Sequence, residues 1–184
     1  MAIDLGTGNG GVVLRRARRE PGTLVIGIDP VAAVMAGASS RASRAAHKGG
    51  MANALFIVAA VESLPRELAG VADEVTVVLP WGSLLSGILT GERGVLGPIA
   101  ALLRPGGRLA ILLSVIERDG HPPIEPDRLD RAFATVGLQA RARAPATAVE
   151  LRALGSTWAK RLGAGSAGRP SIRLTYERAG PASR

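Results

Sequence analysis

The first residues of the chain combine a carboxylate with a glycine-rich turn, a pairing that can hold a nucleotide-like ligand. The segment contains Asp4, Gly6, Thr7, Gly8 and Gly11. Glycines at this spacing, between a predicted strand and a predicted helix, allow the backbone to approach a bound cofactor closely. Asp29 closes the next predicted strand, where a carboxylate can accept hydrogen bonds from ribose hydroxyls. The spacing therefore predicts a site for a nucleoside-containing cofactor.

Asp4 helps to distinguish between two cofactors that use such a turn. The glycine spacing by itself fits a nicotinamide dinucleotide as well as S-adenosyl-L-methionine. A carboxylate two residues before the first glycine would repel a pyrophosphate, but it attracts the charged amino acid moiety of S-adenosyl-L-methionine. The Pro-Gly-Gly turn in 103–109 and the acidic-x-Leu-Pro segment at 62–65 resemble class I methyltransferases. Together these features favour S-adenosyl-L-methionine, with S-adenosyl-L-homocysteine as product, over NAD.

The elements that must position these residues alternate between short apolar strands and helices. Continuous apolar runs predict parallel strands buried on both faces. We predict strands at 2–5, 24–28, 54–60, 74–79, 108–115, 138–143 and 171–177. We predict helical segments at 11–19, 31–46, 65–68, 84–103 with a break near 91–97, 127–136 and 147–162. The fold class is α/β: a doubly wound, mostly parallel, seven-stranded, Rossmann-like sheet with a helix-containing linker between its last two strands.

Length and composition limit the kind of protein. The chain has 184 residues, 47% of them apolar, which suits one domain, predicted at 1–180 with a disordered tail at 181–184. No apolar run reaches membrane-spanning length and no signal peptide is visible, so a cytoplasmic protein with no membrane partner is expected. We also expect a monomer. With no cysteine and two histidines, neither disulfides nor a metal site are expected.

The charge balance favours a polyanionic partner. The formal net charge is +8, and arginine supplies most of the excess. A biased composition would produce the same charge without any such partner. We expect Arg15, Arg16, Arg18 and Arg19 to form an exposed helix face rather than a site.

Two tryptophans stand in segments predicted to border the cofactor. Trp81 follows a proline at the end of the fourth predicted strand, and Trp158 lies beside Lys160 and Arg161. A lone tryptophan is more often part of a core, because its large apolar surface favours burial. These neighbours favour exposed rings instead, which could stack on a base. His47 and His121 are expected to be loop residues and not acid-base groups.

The chain resembles, over nearly its whole length, the aminoglycoside-resistance 16S rRNA (adenine(1408)-N(1))-methyltransferases. The matching residues are Asp4-Leu5-Gly6-Thr7-Gly8, Gly27-Ile28-Asp29, Lys48-Gly49-Gly50, Asn53, Ala59-Ala60, Glu62-Ser63-Leu64-Pro65, Pro80-Trp81-Gly82-Ser83-Leu84-Leu85, Arg104-Pro105-Gly106, Thr157-Trp158 and Arg161-Leu162. The resemblance implies methylation of N1 of a decoding-site adenine in 16S rRNA of the small ribosomal subunit. It also implies an extra N-terminal segment, resembling a β-hairpin, which we expect this chain to lack.

The resemblance assigns roles to individual residues. Trp81 and Trp158 would sandwich a flipped-out adenine, and Arg169 would hold the distorted RNA backbone. The implied cofactor-binding residues are Asp4, Gly6, Thr7, Gly8, Asp29, Ala60, Val61, Glu62, Pro80 and Ser156. The implied RNA-binding residues are Arg41, Arg44, Lys48, Lys160 and Arg161. No general base is nominated, because N1 of neutral adenine keeps a lone pair that can attack the methyl group directly.

Two other functions remain open at this level. A NAD-dependent oxidoreductase would use the same glycine turn, but it should carry a catalytic tyrosine, lysine or histidine near the fourth or fifth strand. None is found there. A non-catalytic RNA-binding module would explain the charge, but it would not explain Asp4 and Asp29.

Overall fold

The central feature of the computed structural model is a seven-stranded sheet, and the structure describes residues 1–154 and 157–180. The strands are β1 (Ala2–Leu5), β2 (Val25–Asp29), β3 (Ala54–Val58), β4 (Ala72–Val78), β5 (Leu103–Leu113), β6 (Leu138–Pro145) and β7 (Ile172–Arg178). Their order is β3-β2-β1-β4-β5-β7-β6. The first five strands pair in parallel, and β7 is antiparallel to both of its neighbours. The predicted fold class is confirmed.

Seven helices connect the strands within the described ranges. They are α1 (Gly11–Arg19), α2 (Ala32–Ala42), α3 (Gly82–Thr90), α4 (Arg93–Leu102), α5 (Pro126–Ala134), α6 (Ala148–Ala153) and α7 (Thr157–Leu162). The break predicted near 91–97 is present, because Gly91 ends α3 with a φ of 74° and α4 begins at Arg93. The predicted helix 147–162 is two helices. Ser156 and the predicted disordered tail 181–184 lie outside the described residues.

Two predicted boundaries differ from the structure by more than two residues. The helix predicted at 31–46 ends at Ala42, after which the chain forms a short 3-10 turn, Ala46–Lys48. The strand predicted at 108–115 begins earlier, because Leu103 already pairs with Ala72. The Pro-Gly turn is thus part of an irregular strand whose register shifts between Ala72 and Glu74.

The helices cover both faces of the sheet. Val25 belongs to a core cluster with residues of α1 and α2, whereas its neighbour Ile26 belongs to a larger cluster with residues of α3, α4 and α5. Because successive strand residues point to opposite faces, the two clusters lie on opposite sides. This explains why the inner strands read as continuous apolar runs. No helix within the described ranges is long and apolar enough to cross a membrane.

The sheet order determines where a ligand can bind. The chain passes from β1 outward to β3 and then returns to place β4 on the other side of β1. In such sheets the crevice at the carboxyl ends of the strands, where the strand order reverses, is the usual ligand site. The glycine turn after β1 and the tryptophan after β4 both reach this crevice.

Candidate cofactor and nucleobase site

The glycine turn after β1 has a backbone that most residues could not adopt. Gly6, Gly8 and Gly10 have φ values of 71°, 55° and 70°, in the left-handed region that favours glycine. Gly10 is also crowded, since a Cβ there would lie 2.5 Å from a ring carbon of Phe56. The turn is held against β2 by the amides of Gly6 and Thr7, which both donate to the carbonyl of Ile28, at 2.8 and 3.0 Å. The result is a rigid concave surface that leads directly into α1.

Asp4 is a buried carboxylate without a cation bonded to it among the described residues. Its side chain is only 3% exposed and accepts hydrogen bonds from the hydroxyls of Thr7, at 2.7 Å, and Thr76, at 2.9 Å. Burial raises its pKa to about 6, and the two hydroxyls and the more distant charge of Arg16 only partly offset this effect. A positively charged ligand group beside Asp4 would stabilise the ionised form of this carboxylate.

Asp29 is oriented by two backbone amides. Its Oδ2 accepts from Gly8 at 2.9 Å, and its Oδ1 accepts from Val31 at 3.0 Å. Each carboxylate oxygen has a second lone pair, so both can still accept a hydrogen bond from a ligand. The side chain is half-buried at the carboxyl end of β2. This geometry fits a pair of ribose hydroxyls.

A pocket of about 290 Å³ joins these groups to the end of β4. Its lining contains the predicted cofactor residues Asp4, Gly6, Thr7, Gly8, Asp29 and Pro80, together with Trp81. It also contains residues that the sequence interpretation did not name as site residues: Asn9, Val12, Pro30, Val78, Leu79, Ser83 and Leu84. Asn9, Pro30 and Leu79 directly adjoin named residues, and the other four lie within four positions of one, so proximity in sequence was the available signal. Thr76 is distant from Asp4 along the chain, so its bond to that carboxylate had no such signal.

The residues predicted to border the adenine of the cofactor do not line this pocket. Val61 and Glu62 line a separate cleft with Leu64 and Pro65, and Ala60 precedes them at the start of a short 3-10 turn, Val61–Ser63. The segment is nevertheless next to Asp29, because the amide of Ala59 donates to the carbonyl of Asp29 at 3.2 Å. Ser156, also predicted here, lies outside the described residues.

Trp81 is presented on a strained turn. The residue is 45% exposed, as expected for a stacking surface. Leu79, two residues earlier, has a φ of 49°, a conformation uncommon for residues other than glycine, and Gly82 has a φ of 59°. Backbone of this kind costs on the order of 1–3 kcal/mol and is concentrated at functional sites. The turn aims Trp81 away from the core while Leu79 stays buried.

His121 was not predicted to belong to this site, but it contacts the tryptophan. The two rings are 5.6 Å apart between centroids and nearly perpendicular, at 85°. Nδ1 of His121 lies 3.4 Å from the hydroxyl of Ser86 on α3. Edge-to-face packing limits the orientations that the indole can adopt.

A small third core cluster links the two tryptophan-bearing segments. It contains Leu79, Leu112, Ala146, Leu151, Ala159 and Ala164. Leu79 stands two residues before Trp81, and Ala159 directly follows Trp158 in α7. The backbone at Trp158 is therefore anchored to the same cluster as the turn that carries Trp81. The side chain of Trp158 lies outside the described residues.

Arg169 occupies a different environment from the one expected. Its side chain is 5% exposed and donates to the carboxylate of Asp119 at 2.5 Å and to the carbonyl of Ser114 at 3.1 Å. The resemblance predicted an arginine that contacts RNA. Here the guanidinium is turned inward, where Asp119 and the Ser114 carbonyl supply the pairing and hydrogen bonding that a buried charge requires. The ion pair ties the loop before β7 to the segment that follows β5.

The other predicted RNA-binding side chains face solvent. Lys160 and Arg161 are exposed on α7, and Arg41, Arg44 and Lys48 are exposed at the end of α2 and in the turn that follows it. The last three line a groove that is separate from the pocket containing Asp4 and Asp29.

Comparisons with known proteins match this arrangement to one family. The sequence model of NpmA, described as 16S rRNA (adenine(1408)-N(1))-methyltransferase, matches residues 1–176. A curated relative of that description from Escherichia coli is 39% identical over 102 residues, 55% of this chain. That match covers 47% of the relative, about half of its length. The relative from Streptoalloteichus hindustanus is 34% identical over 173 residues, which is 88% of this chain and 80% of that protein.

Solved structures agree with the sequence matches. One is a tryptophan-to-alanine mutant of the 16S rRNA (adenine(1408)-N(1))-methyltransferase from Catenulisporales acidiphilia, crystallised with its cosubstrate SAM. It superposes with a TM-score of 0.89 at 32% identity, covering 100% of this chain and 87% of that one. Other matching structures are named antibiotic-resistance or aminoglycoside resistance methyltransferases.

Proposed function

Because the chain belongs to the NpmA family of 16S rRNA (adenine(1408)-N(1))-methyltransferases, we propose that it methylates N1 of the decoding-site adenine of 16S rRNA. S-adenosyl-L-methionine is the methyl donor, and the methylated small ribosomal subunit is resistant to aminoglycosides. The observation that carries the proposal is a single pocket in which a buried Asp4 and an oriented Asp29 lie beside an exposed Trp81.

The chain's own residues fit the proposed cofactor. The unneutralised carboxylate of Asp4 attracts the ammonium group of the cofactor's amino acid moiety, and the oriented carboxylate of Asp29 accepts from the ribose hydroxyls. The glycine turn lets the backbone approach between them. Ala60, Val61 and Glu62 would border the adenine, with Pro80 and Ser156 completing the enclosure. When bound, S-adenosyl-L-methionine supplies an electrophilic methyl group on a sulfonium centre.

The target adenine must leave its stack before N1 can react. N1 lies on the Watson-Crick edge, which is inaccessible inside a helix, so the nucleotide has to be flipped out. We assign the extruded base to a position between Trp81 and Trp158. Stacking on aromatic rings contributes about 1–3 kcal/mol per base and offsets part of the unstacking cost. The exposure of Trp81 and the core cluster shared by the two segments support this assignment.

Positioning accounts for the reaction without a general base. The N1 lone pair forms the new N–C bond as the C–S bond breaks, and its electron pair returns to sulfur, leaving S-adenosyl-L-homocysteine and a cationic N1-methyladenine. Holding N1, the methyl carbon and sulfur in line is the contribution of proximity and orientation. The two tryptophans would thus act by placing the base and not by exchanging a proton.

Contacts to the RNA backbone would come from the exposed cations. Arg41, Arg44 and Lys48 form one group, and Lys160 and Arg161 form a second group beside the nucleobase site. The substrate would be the assembled small subunit, with the enzyme acting as a monomer. Arg169 would hold the RNA only if it left its pairing with Asp119 on binding.

The two rival functions receive less support from the site. Among the described residues, the pocket lining contains no tyrosine, lysine or histidine that could serve a dehydrogenase. A module that only binds RNA has no use for Asp4, whose burial raises its pKa to about 6. Calorimetry with S-adenosyl-L-methionine and with NAD separates all three functions.

Primer extension on 16S rRNA from treated small subunits tests the proposal directly. The wild-type protein with S-adenosyl-L-methionine should produce a stop at the decoding-site adenine. Trp81→Ala should abolish the stop while cofactor affinity stays within a few-fold, and Trp81→Phe, which keeps an aromatic face, should retain part of it. A wild-type protein that binds the cofactor but leaves the adenine unmodified would refute the proposal.

A further inference from the structure

We propose that helix α1 carries an additional contact for rRNA. Arg15, Arg18 and Arg19 form one wall of a basic groove whose other wall is the group Arg41, Arg44 and Lys48, and the groove holds a stretch of sugar-phosphate backbone. The sequence pattern favoured a merely solvated helix face for the α1 arginines. This inference rests on the proposed function, and it concerns a surface that lies outside the cofactor pocket.

The two groups of cations line the same concavity. The groove has a volume of about 580 Å³, and its lining consists of Gly11, Leu14, Arg15, Arg18, Arg19, Arg41, Arg44, Lys48, Gly49 and Met51. Six of these residues are cationic, and no described lining residue is acidic. Leu14 and Met51 supply apolar surface. Such a concentration of one sign of charge produces a strong positive potential that attracts anions.

The arginines of α1 divide into two groups with different surroundings. At about 100° per residue, Arg15, Arg18 and Arg19 fall within one sector of the helix, opposite the buried residues Val13 and Ala17. All three are exposed, and none has a carboxylate partner within the described part of the chain. Arg16, by contrast, is paired with Glu20 at 3.0 Å and Glu74 at 2.8 Å. Only the three groove-facing arginines remain available for an external anion.

The second wall is equally unneutralised. Arg41 donates to the carbonyl of Gly37 at 3.2 Å, and no ion pair to Arg41, Arg44 or Lys48 is present among the described residues. A hydrogen bond to one carbonyl leaves most of the guanidinium's five donors free. The six positive charges therefore remain uncompensated by the protein itself.

The width of the groove is fixed by backbone contacts. The side-chain amide of Asn53 donates to three carbonyls at the end of α1, those of Ala17, Glu20 and Thr23, at 2.9, 3.1 and 3.0 Å. The loop beyond α2 is closed just as tightly, because a Cβ on Gly50 would lie 1.7 Å from the carbonyl oxygen of Arg44. The two helices also pack together, because Leu14 and Ala17 of α1 share a core cluster with Ala38 and Ala42 of α2. The two walls are thus held relative to each other before any ligand binds, which lowers the entropy cost of binding.

The chemistry and position of the groove identify its occupant. Arginine suits phosphates in particular, because its planar fork can donate two parallel hydrogen bonds. Gly11 lines the groove, and it stands two and three residues after Asn9 and Gly8, which line the cofactor pocket. A polyanion lying along α1 would therefore continue from the cofactor edge, where the flipped adenine is proposed to enter. The sugar-phosphate backbone of the same rRNA meets these conditions.

Removing the three charges tests the proposal through the salt dependence of binding. The variant Arg15→Gln/Arg18→Gln/Arg19→Gln is compared with Arg93→Gln/Arg108→Gln/Arg131→Gln, which removes three exposed arginines that do not line the groove. Affinity for purified small subunits is measured between about 50 and 200 mM salt. Each phosphate contact contributes about 0.7–0.9 to the slope of log affinity against log salt. The groove variant should therefore lower the slope by about 2 to 3, and the control variant by less than about 1.

The outcomes separate this inference from the proposed function. If the slope of the groove variant is lower by about 2 to 3, its affinity for subunits falls about 16- to 64-fold less over this fourfold salt range than the affinity of the wild type does. Equal slopes for the groove and control variants would overturn the role of α1, even if the wild type methylates normally. A wild-type protein that binds subunits with the steep slope but does not methylate them would overturn the proposed function alone. Binding of anionic lipid vesicles that depends on the three arginines, with unchanged subunit binding, would also overturn the inference. Calorimetry with S-adenosyl-L-methionine confirms that both variants are folded.

Discussion

Replacing Asp4 by asparagine should make the protein more stable and at the same time impair cofactor binding. The substitution keeps the shape of the side chain, and the hydroxyls of Thr7 and Thr76 can rotate to donate or accept. What it removes is a negative charge that is buried without a cation bonded to it. The substitution therefore measures how much free energy of unfolding the protein loses by keeping this buried carboxylate ionised for a ligand.

The magnitude follows from the raised pKa of Asp4. The pKa rises from the ordinary 3.8 to about 6 in the folded protein. At 1.36 kcal/mol per pKa unit, ionised Asp4 destabilises the fold by about 3 kcal/mol relative to the unfolded chain. The folded state binds the proton more tightly than the unfolded chain does. Below pH 3.8 Asp4 is protonated in both states and the fold keeps this stability of about 3 kcal/mol, which is lost as the pH rises through about 6. The asparagine in the variant does not titrate, so the variant keeps this stability at every pH.

Urea denaturation of both proteins between pH 4 and pH 8 measures the effect. The free energy of unfolding of Asp4→Asn, relative to wild type, should rise by about 2 to 3 kcal/mol from pH 4 to pH 7 and then level off. Other titrating groups are common to both proteins and cancel in the difference. Glu67→Gln, which removes an exposed carboxylate, should differ from wild type by less than about 0.5 kcal/mol at every pH.

Cofactor binding should change in the opposite direction. Calorimetry should show that wild-type affinity for S-adenosyl-L-methionine falls about tenfold per pH unit below pH 6, because Asp4 must be ionised to attract the ammonium group. The variant should bind at least about tenfold more weakly at pH 7, with little pH dependence over the range in which Asp4 titrates. A variant that is less stable than wild type at pH 7, or a stability difference that is constant from pH 4 to pH 8, would refute the reasoning.

Three further predictions concern the support around the site. His121→Ala should lower the methylation rate severalfold because Trp81 loses its edge contact, whereas His121→Phe should restore it; equal rates for the two variants in a single-turnover assay would contradict this. Arg169→Gln should destabilise the protein by about 3 kcal/mol in urea denaturation because Asp119 is left buried without its partner, and an unchanged midpoint would show that the pair contributes little. Asn53→Ala should lower the free energy of unfolding by about 1–3 kcal/mol because three carbonyls lose a donor. It should also weaken subunit binding, because the basic groove becomes less rigid. Normal subunit binding by this variant at a temperature at which it is folded would argue against a groove of fixed width.

Much of the architecture could be predicted because it depends on local patterns. The bounds of β1 and α1 agree with the prediction to the residue, since a short apolar run, a glycine turn and a Pro-Gly stop are all local signals. The predicted boundaries were wrong where long-range strand pairing determines the end of an element. Leu103 belongs to β5 only because it pairs with Ala72, some 30 residues earlier. No propensity of the Pro-Gly segment itself indicates a strand there.

The site shows the same division. Asp4, Asp29 and Trp81 could be named from residue type and position at the ends of predicted strands, and the pocket does contain all three. The inward orientation of Arg169 could not be foreseen, because its partner Asp119 lies in a different loop. The edge contact of His121 with Trp81 likewise joins residues that are distant along the chain.

The sequence alone indicated the type of chemistry, because a carboxylate before a glycine turn and a second carboxylate after the next strand favour S-adenosyl-L-methionine over NAD. The tertiary structure decided which charges are neutralised. It buried Asp4 between two hydroxyls, paired Arg16 and Arg169 with carboxylates, and left six cations facing one groove. The physical reason is that the energy of a charge depends on its distance to other charges and to water, and folding sets both distances.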